Sequence, residues 1–250
     1  MKKFIFITLL SFSVSILSAQ KEKPAEPTEP ANKKNIIKLN LFALGLKNIS
    51  VQYERVLSKR FSFAAGVRFM SKGDIPLKST FQDLTDNPDT KKQIENITIG
   101  NTAFTPELRW YVGKKGAPQG FYIAPYARIA HYTASLPFLF DDGTVQKEIN
   151  LAGDLNTFTG GILFGAQWKL GKSLMLDWWI LGPNYGSSKG DIAGEKSLTA
   201  SEQTALRNEL ANLDIPLTNI TYTVDRNGAT LNFKGPWAGV RSGLCLGFRF

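Results

Sequence analysis

The sequence predicts an all-β chain, an eight-stranded antiparallel transmembrane β-barrel with short periplasmic turns and long extracellular loops, and three observations carry that prediction. Eight segments alternate large apolar residues with small or charged ones at period two. The spacers between them alternate short with long. The last seven residues, LCLGFRF, are an apolar alternation ending on Phe250, where a soluble domain is usually frayed.

With 250 residues, 43% hydrophobic and 20% charged, there is material for one large all-β domain. The first residues, MKKFIFITLLSFSVSILSAQ, carry two lysines, an apolar run from Phe4 to Leu17 and small residues at Ser18 and Ala19. That is the pattern of a secretory signal peptide, 1–19, and the run is too short for a membrane helix. Losing Lys2 and Lys3 with it lowers the formal charge from +9 to +7 (9 − 2), which still favours contact with something anionic. The lone cysteine, Cys245, is far from the cleavage site, so neither a lipoprotein anchor nor an internal disulfide is expected. Residues 20–34, QKEKPAEPTEPANKK, mix proline with Glu, Lys and Ala and read as an extended periplasmic tether. The barrel occupies 35–250. No later stretch reaches the roughly 18 consecutive apolar residues of a transmembrane helix, so strands must do the spanning.

The first strand, 35–46, sets Ile37, Leu39, Leu41 and Ala43 against Lys38, Asn40 and Phe42. The second, 49–57, sets Ile49, Val51 and Tyr53 against Gln52 and Glu54. The third, 61–70, opposes Phe61, Phe63, Ala65, Val67 and Phe69 to Ser62, Ala64, Gly66 and Arg68. In the fourth, 97–112, Phe104, Pro106, Leu108, Trp110 and Val112 face away from Ala103, Thr105, Glu107, Arg109 and Tyr111. The fifth, 121–134, places Phe121, Ile123, Pro125, Ala127 and Ile129 opposite Tyr122, Ala124, Tyr126, Arg128 and Tyr132. Pro106 and Pro125 each remove a ladder donor, which counts against a strand there unless bulges accommodate them. The sixth, 156–170, alternates Phe158, Ile162, Phe164, Ala166, Trp168 and Leu170 with Thr157, Thr159, Gly161, Gly165, Gln167 and Lys169. The seventh, 174–182, alternates Leu174, Leu176, Trp178 and Ile180 with Met175, Asp177 and Trp179. The eighth, 237–250, shows Leu244, Leu246, Phe248 and Phe250 opposite Arg241, Gly243, Cys245, Gly247 and Arg249. A lipid face and a crowded interior would produce this contrast.

Three spacers are short: 58–60, 113–120 and 171–173. Three are long, roughly 26, roughly 21 and more than 50 residues, as at the two ends of a membrane barrel. The longest holds Thr199-Ala200-Ser201-Glu202, a capping box, followed by Leu206, Leu210 and Leu213 at helical spacing. It predicts a short amphipathic helix on the outer surface. Trp110, Phe121, Trp168, Phe61 and Phe250 near the short turns, and Phe69, Phe104, Phe158 and Trp237 near the long loops, would make two aromatic girdles.

Taken together, these features resemble the small OmpA/OmpX-type outer-membrane barrels. KLNLFALGLKNISVQYERVL, TPELRWYVGKKG and GFYIAPYARIAHY resemble in particular a family of uncharacterised bacterial outer-membrane barrel proteins. The resemblance covers 35–250. It implies the bacterial outer membrane as location and its lipids as partners. It also implies that Leu244, Leu246, Phe248 and Phe250 form the signal read by the barrel-assembly machinery during insertion.

On the inner face alternation collects Lys38, Glu54, Arg68, Glu107, Arg109, Arg128, Lys169, Asp177, Arg241 and Arg249. Eight strands enclose only enough room for their own side chains, so these charges must pair into a structural network that plugs the lumen. A narrow conducting channel is the competing reading. Another is an enzyme acting on envelope lipid, with the single histidine, His131, near Thr133 and Ser135. No nucleophile elbow accompanies it, and no catalytic residue is assigned. One histidine and one cysteine do not supply the four ligands of structural zinc. No metal or cofactor is expected, although Asp141 and Asp142 carry oxygen ligands of the kind calcium takes. Lys59, Arg60, Lys114, Lys115 and Lys172 on the short turns suit anionic headgroups, and nucleic acid is not needed to explain them. The expected role is that of a monomeric, non-enzymatic barrel with a structural or surface-interaction function, any ligand being taken by the long loops.

Overall fold

The structure is a computed structural model that describes residues 33–213 and 217–250; the expected leader and the tether up to residue 32 lie outside the described residues. Strand β1 (Asn35–Asn40) stops sooner than its alternation predicts. The side-chain oxygen of Asn40 accepts from the Ala43 N–H at 3.1 Å and caps a single helical turn, α1 (Leu41–Gly45). Asparagine competes with the ladder in this way, which corrects the expected first strand through Leu46. Lys47 takes a positive φ of 56°, the Asn48 N–H bonds Ala43 O at 2.8 Å, and the chain enters β2 (Ile49–Val56).

A tight turn, in which Ser58 Oγ accepts from the Phe61 N–H at 3.2 Å, leads into β3 (Phe61–Asp74). Two short helices, α2 (Lys78–Asp83) and α3 (Pro88–Asn96), occupy the connection expected to be loop, and β4 (Thr98–Tyr111) follows. The next turn needs Gly116 at φ +70°, because a Cβ there would lie 2.4 Å from Lys59 O of the adjacent turn. Then come β5 (Gly120–Asp141), β6 (Gln146–Lys169), β7 (Leu174–Glu195), α4 (Ala200–Ala211), β8 (Asn219–Asp225) and β9 (Gly228–Arg249).

All pairings are antiparallel and run β1-β2-β3-β4-β5-β6-β7-β9, with β9 returning to β1. The sheet thus closes into a ring of eight strands. Closure is local to Ile36–Asn40 against Cys245–Arg249, and Asn35 and Phe250 exchange backbone hydrogen bonds of 3.0 and 2.9 Å. A ninth strand, β8, pairs with the first third of β9.

Two of the long loops expected from the sequence are largely strand. The β5–β6 connection shrinks to a turn at Asp142–Val145, and β7 continues to Glu195. The cause is tertiary: Phe140, Ile149, Leu151 and Leu231 on these extensions bury together with Leu206 and Leu210 of α4 and Val224 of β8. The helix predicted from its capping box is present, with Thr199 Oγ1 accepting from Glu202 N–H at 3.3 Å. Its leucines face this second core.

Pro106 and Pro125 cause no bulge. Phe104↔Ile129, Glu107↔Tyr126 and Trp110↔Ile123 keep one register past both. Register shifts fall instead at Met70/Gly73 and in β7 between Trp179 and Gly182, where one extra residue is accommodated. That insertion reverses the inside-outside alternation of β7 beyond Trp179. Trp237 is a further correction: it shares Arg241's parity, turns inward and lies 5.3 Å from the Tyr132 ring.

Candidate functional site

Inside the ring the side chains divide into two layers. Toward the short turns, Arg109 is the hub. It comes from β4, buried at 0% exposure, with Nε donating to Glu107 Oε1 at 2.6 Å and Nη2 to Gln52 Oε1 at 2.8 Å. Its Nη1 lies 2.7 Å from Asp177 Oδ2, 3.0 Å from Gln167 Oε1 and 3.2 Å from Glu54 Oε2. The Tyr122 ring sits under the guanidinium, 4.4 Å from its carbon.

Lys38 of β1 joins the same acids, at 2.5 Å from Asp177 and in contact with Glu54. Arg241 of β9 pairs with Glu107 and stacks on Trp179 at 3.9 Å. Hydroxyls finish the carboxylates: Ser62 and Tyr111 donate to Glu54 at 2.5 and 2.7 Å, and Tyr122 to Asp177 at 2.7 Å. Trp179 Nε1 donates to Asp177 at 3.0 Å. Three cations and three anions make this layer electrically neutral, the condition under which buried charge is tolerated.

Of the ten charges expected inside, the structure brings these six together. Lys169 and Arg249 are half-buried at the short-turn end, Arg249 Nε donating to Lys33 O at 2.7 Å. Arg68 and Arg128 stand in the other layer. Sequence reasoning named the charges and passed over Gln52, Ser62, Tyr111, Tyr122, Gln167 and Trp179, though parity placed every one of them on the same face. The glycines make the room. A Cβ on Gly165 would fall 2.4 Å from Tyr122, and one on Gly243 2.3 Å from the Asn40 side chain.

Toward the long connections the interior opens into a cavity of about 270 Å³, beneath α1 and walled by Arg68, Arg128, Thr159, Trp179, Trp237 and Arg241. Arg68 Nε donates to Asn48 Oδ1 at 2.8 Å. Among the described residues no carboxylate lies within ion-pair distance of Arg68 or Arg128.

His131 lies at the outer face of β5, its Nδ1 2.9 Å from Asn156 Oδ1 and Nε2 3.6 Å from Asp154. Ser135 donates elsewhere, to Asn150 at 3.0 Å. Histidine and serine are thus not brought together. Among the described residues no group of three or more His, Cys, Asp or Glu side chains is arranged to hold a metal ion. Asp142 is taken up by its own turn, accepting from the Thr144 hydroxyl at 2.5 Å and from the Val145 and Thr144 N–H at 3.0 and 2.9 Å, which holds its carboxyl well below the usual range. Lys147 bridges Asp142 and Glu202 at 3.2 and 2.8 Å. That ammonium and the Thr199 N–H hold Glu202 down at about 2.

Leu244, Leu246 and Phe248 point to the outer face of β9, and the ring of Phe250, just past its end, stacks on Phe248 at 6.4 Å. Residues 5–186 match the model of a family described as a protein of unknown function, DUF3575. No curated protein and no solved structure gives a significant match. The matched stretch ends within β7.

Proposed function

The chain belongs to the DUF3575 family, and we propose that it is an integral β-barrel of the bacterial outer membrane, with a structural and surface-interaction role and a lumen plugged by ion pairs. The observation that carries this reading is the inversion of its faces. Ile49, Phe63, Val67, Phe69, Phe104, Ile129, Ile162, Phe164 and Phe248 are exposed, while Lys38, Glu54, Glu107, Arg109 and Asp177 are buried. Water would reverse that arrangement, and a contiguous apolar girdle of this extent marks contact with lipid or protein.

The dimensions agree. Phe61 and Phe69 are eight residues apart on β3, about 27 Å along a strand at roughly 3.4 Å per residue. A tilt of about 40° reduces this to roughly 20 Å, near the apolar band of known outer-membrane barrels. Phe61, Trp110, Phe121 and Trp168 ring the short-turn end, and Phe69, Phe104 and Phe158 the other. Backbone groups in hydrocarbon must be satisfied within the protein, which the β1–β9 pairing achieves by leaving the ring no edge. The exposed Lys59, Arg60, Lys114, Lys115 and Lys172 meet anionic headgroups on one side.

The strand extensions capped by α4 stand beyond the apolar band and supply the surface for interaction. The extension module has its own apolar core, so it presents a packed face where two long loops were expected. The side chains of the ion-pair layer are buried against one another, which favours a plug over a channel.

The test is a heat-modifiability gel on the membrane fraction, combined with alkaline extraction. Expected are resistance to extraction and a different migration of unboiled and boiled samples. Release into the soluble fraction without a migration shift overturns the membrane reading.

A further inference from the structure

We propose that the cavity above the ion-pair layer is a binding site for a small dissolved solute carrying an oxyanion, a phosphate or carboxylate, gripped by Arg68 and Arg128. Its volume of about 270 Å³ far exceeds the roughly 10–15 Å³ that one water occupies. Three guanidiniums converge on it: Arg68 feels the like charges of Arg128 and Arg241. Among the described residues only Arg241 has a carboxylate partner, Glu107. The cavity therefore carries an excess of two positive charges on half-buried side chains, an arrangement that favours a counter-charge. Arginine forks match planar or tetrahedral oxyanions bidentately.

A second, independent feature points the same way. Thr159 is 1% exposed and lines the cavity, yet its Oγ1 has no hydrogen-bond partner. The oxygen is itself covered; because buried hydroxyls are nearly always satisfied, a ligand atom met by a rotation of this side chain would supply the missing partner. Trp237, tilted against the Tyr132 ring, offers an apolar wall to the rest of the solute. Its arginines line the ring's interior, while Val67 and Val240 of the outer face also border the cavity, so the phosphatidic acid arm of the test separates a dissolved solute from a bilayer headgroup. The inference needs only the ring's interior and holds whether or not the ring spans a membrane, so it fails separately from the membrane reading.

The full chain, refolded in neutral detergent and checked by heat-modifiability, is titrated at constant ionic strength with inorganic phosphate and, separately, benzoate, followed by tryptophan fluorescence and calorimetry. Saturable binding of at least one anion is expected. Arg128→Gln and Arg68→Gln should each weaken it roughly tenfold or more, as loss of a charged hydrogen bond does. Arg128→Lys should retain part of the affinity, and Thr159→Val should lose a few-fold. If the glutamine variants do not fold, Arg128→Lys and Thr159→Val, which barely change volume, carry the comparison. Absence of saturable binding by both anions overturns the proposal, as does unchanged affinity in the folded variants. Displacement of phosphate by phosphatidic acid added to the micelles would make this a lipid site and overturn the solute reading.

Discussion

Arg109 Nη1 stands 2.7 Å from Asp177 Oδ2, and both side chains are fully buried. The pair joins β4 to β7 across the interior, and Lys38 and Glu54 tie β1 and β2 to the same point. Removing Arg109 strands three carboxylates with two cations. Arg109→Met is therefore expected to cost about 3–5 kcal/mol, the range for breaking a buried charge pair from one side. Lys114→Met, on an exposed turn, should stay within about 0.5 kcal/mol. Urea unfolding in detergent micelles, read by the loss of the compact gel form, measures both; equal midpoints would mean that the network does not hold the ring together.

Gly165 and Gly171 sit on the same strand and its following turn, in very different surroundings. A Cβ on Gly165 meets Tyr122 at 2.4 Å and Trp178 O at 2.9 Å, whereas one on Gly171 meets nothing within 4 Å. Gly165→Ala displaces the ring on which Arg109 rests, at a cost of about 1–3 kcal/mol for overpacking. Gly171→Ala should be close to neutral. The same unfolding midpoints decide, and a tolerant Gly165 would show that the interior is looser than the ion-pair geometry implies.

Period-two alternation made the ring strands legible, because each must present large apolar groups on one side and small or charged ones on the other. The same parity put Lys38, Glu54, Glu107, Arg109, Asp177 and Arg241 on one face before any contact was visible. What it could not show was where alternation is interrupted. Asn40 ends β1 through a hydrogen bond to a backbone three residues on, and the extra residue after Trp179 shifts the phase of β7. Neither leaves a trace in the hydropathy pattern. The strand extensions were hidden for another reason: Phe140 and Ile149 bury against Leu206, some 60 residues away, and only the fold brings them together. Trp237 was legible and misread, since its parity with Arg241 already placed it inside. The cavity rests on a different kind of fact, the lack of an acid beside Arg68 and Arg128 among the described residues, which no spacing in the sequence reveals.

Leu206 is fully buried in the core that α4 forms with the strand extensions, and no residue of that core belongs to the ion-pair layer. The two regions should therefore fail independently. Leu206→Ala is expected to cost the extension module about 2–5 kcal/mol, as large-to-small changes in a packed core do. Limited proteolysis should then cut between residues 196 and 218 much faster, while the heat-modifiable gel form of the ring persists. Loss of both together would show that ring and module are one cooperative unit.

Glu202 makes the pH behaviour of that module specific. Its carboxylate caps α4 through Thr199 N–H at 2.7 Å and receives Lys147 Nζ at 2.8 Å, and its proton affinity falls from an ordinary 4.5 to about 2. A carboxyl whose affinity is lowered on folding contributes stability that is fully present above 4.5 and is lost as pH falls through about 2. Lys147, raised by the same contact, contributes below its ordinary 10.5 and is lost only as pH rises beyond that value. Across neutral pH the bridge is thus constant, and the sensitive window is acidic. Amide hydrogen exchange along α4, corrected for intrinsic rates and followed from pH 5 downward, should show protection declining through that window in the wild type. In Glu202→Gln the decline should flatten and protection at pH 5 should already be lower. Parallel pH profiles in the two proteins would remove Glu202 as the origin of the acid sensitivity and leave the Asp142 turn, whose carboxyl is also held low, as the group to replace next.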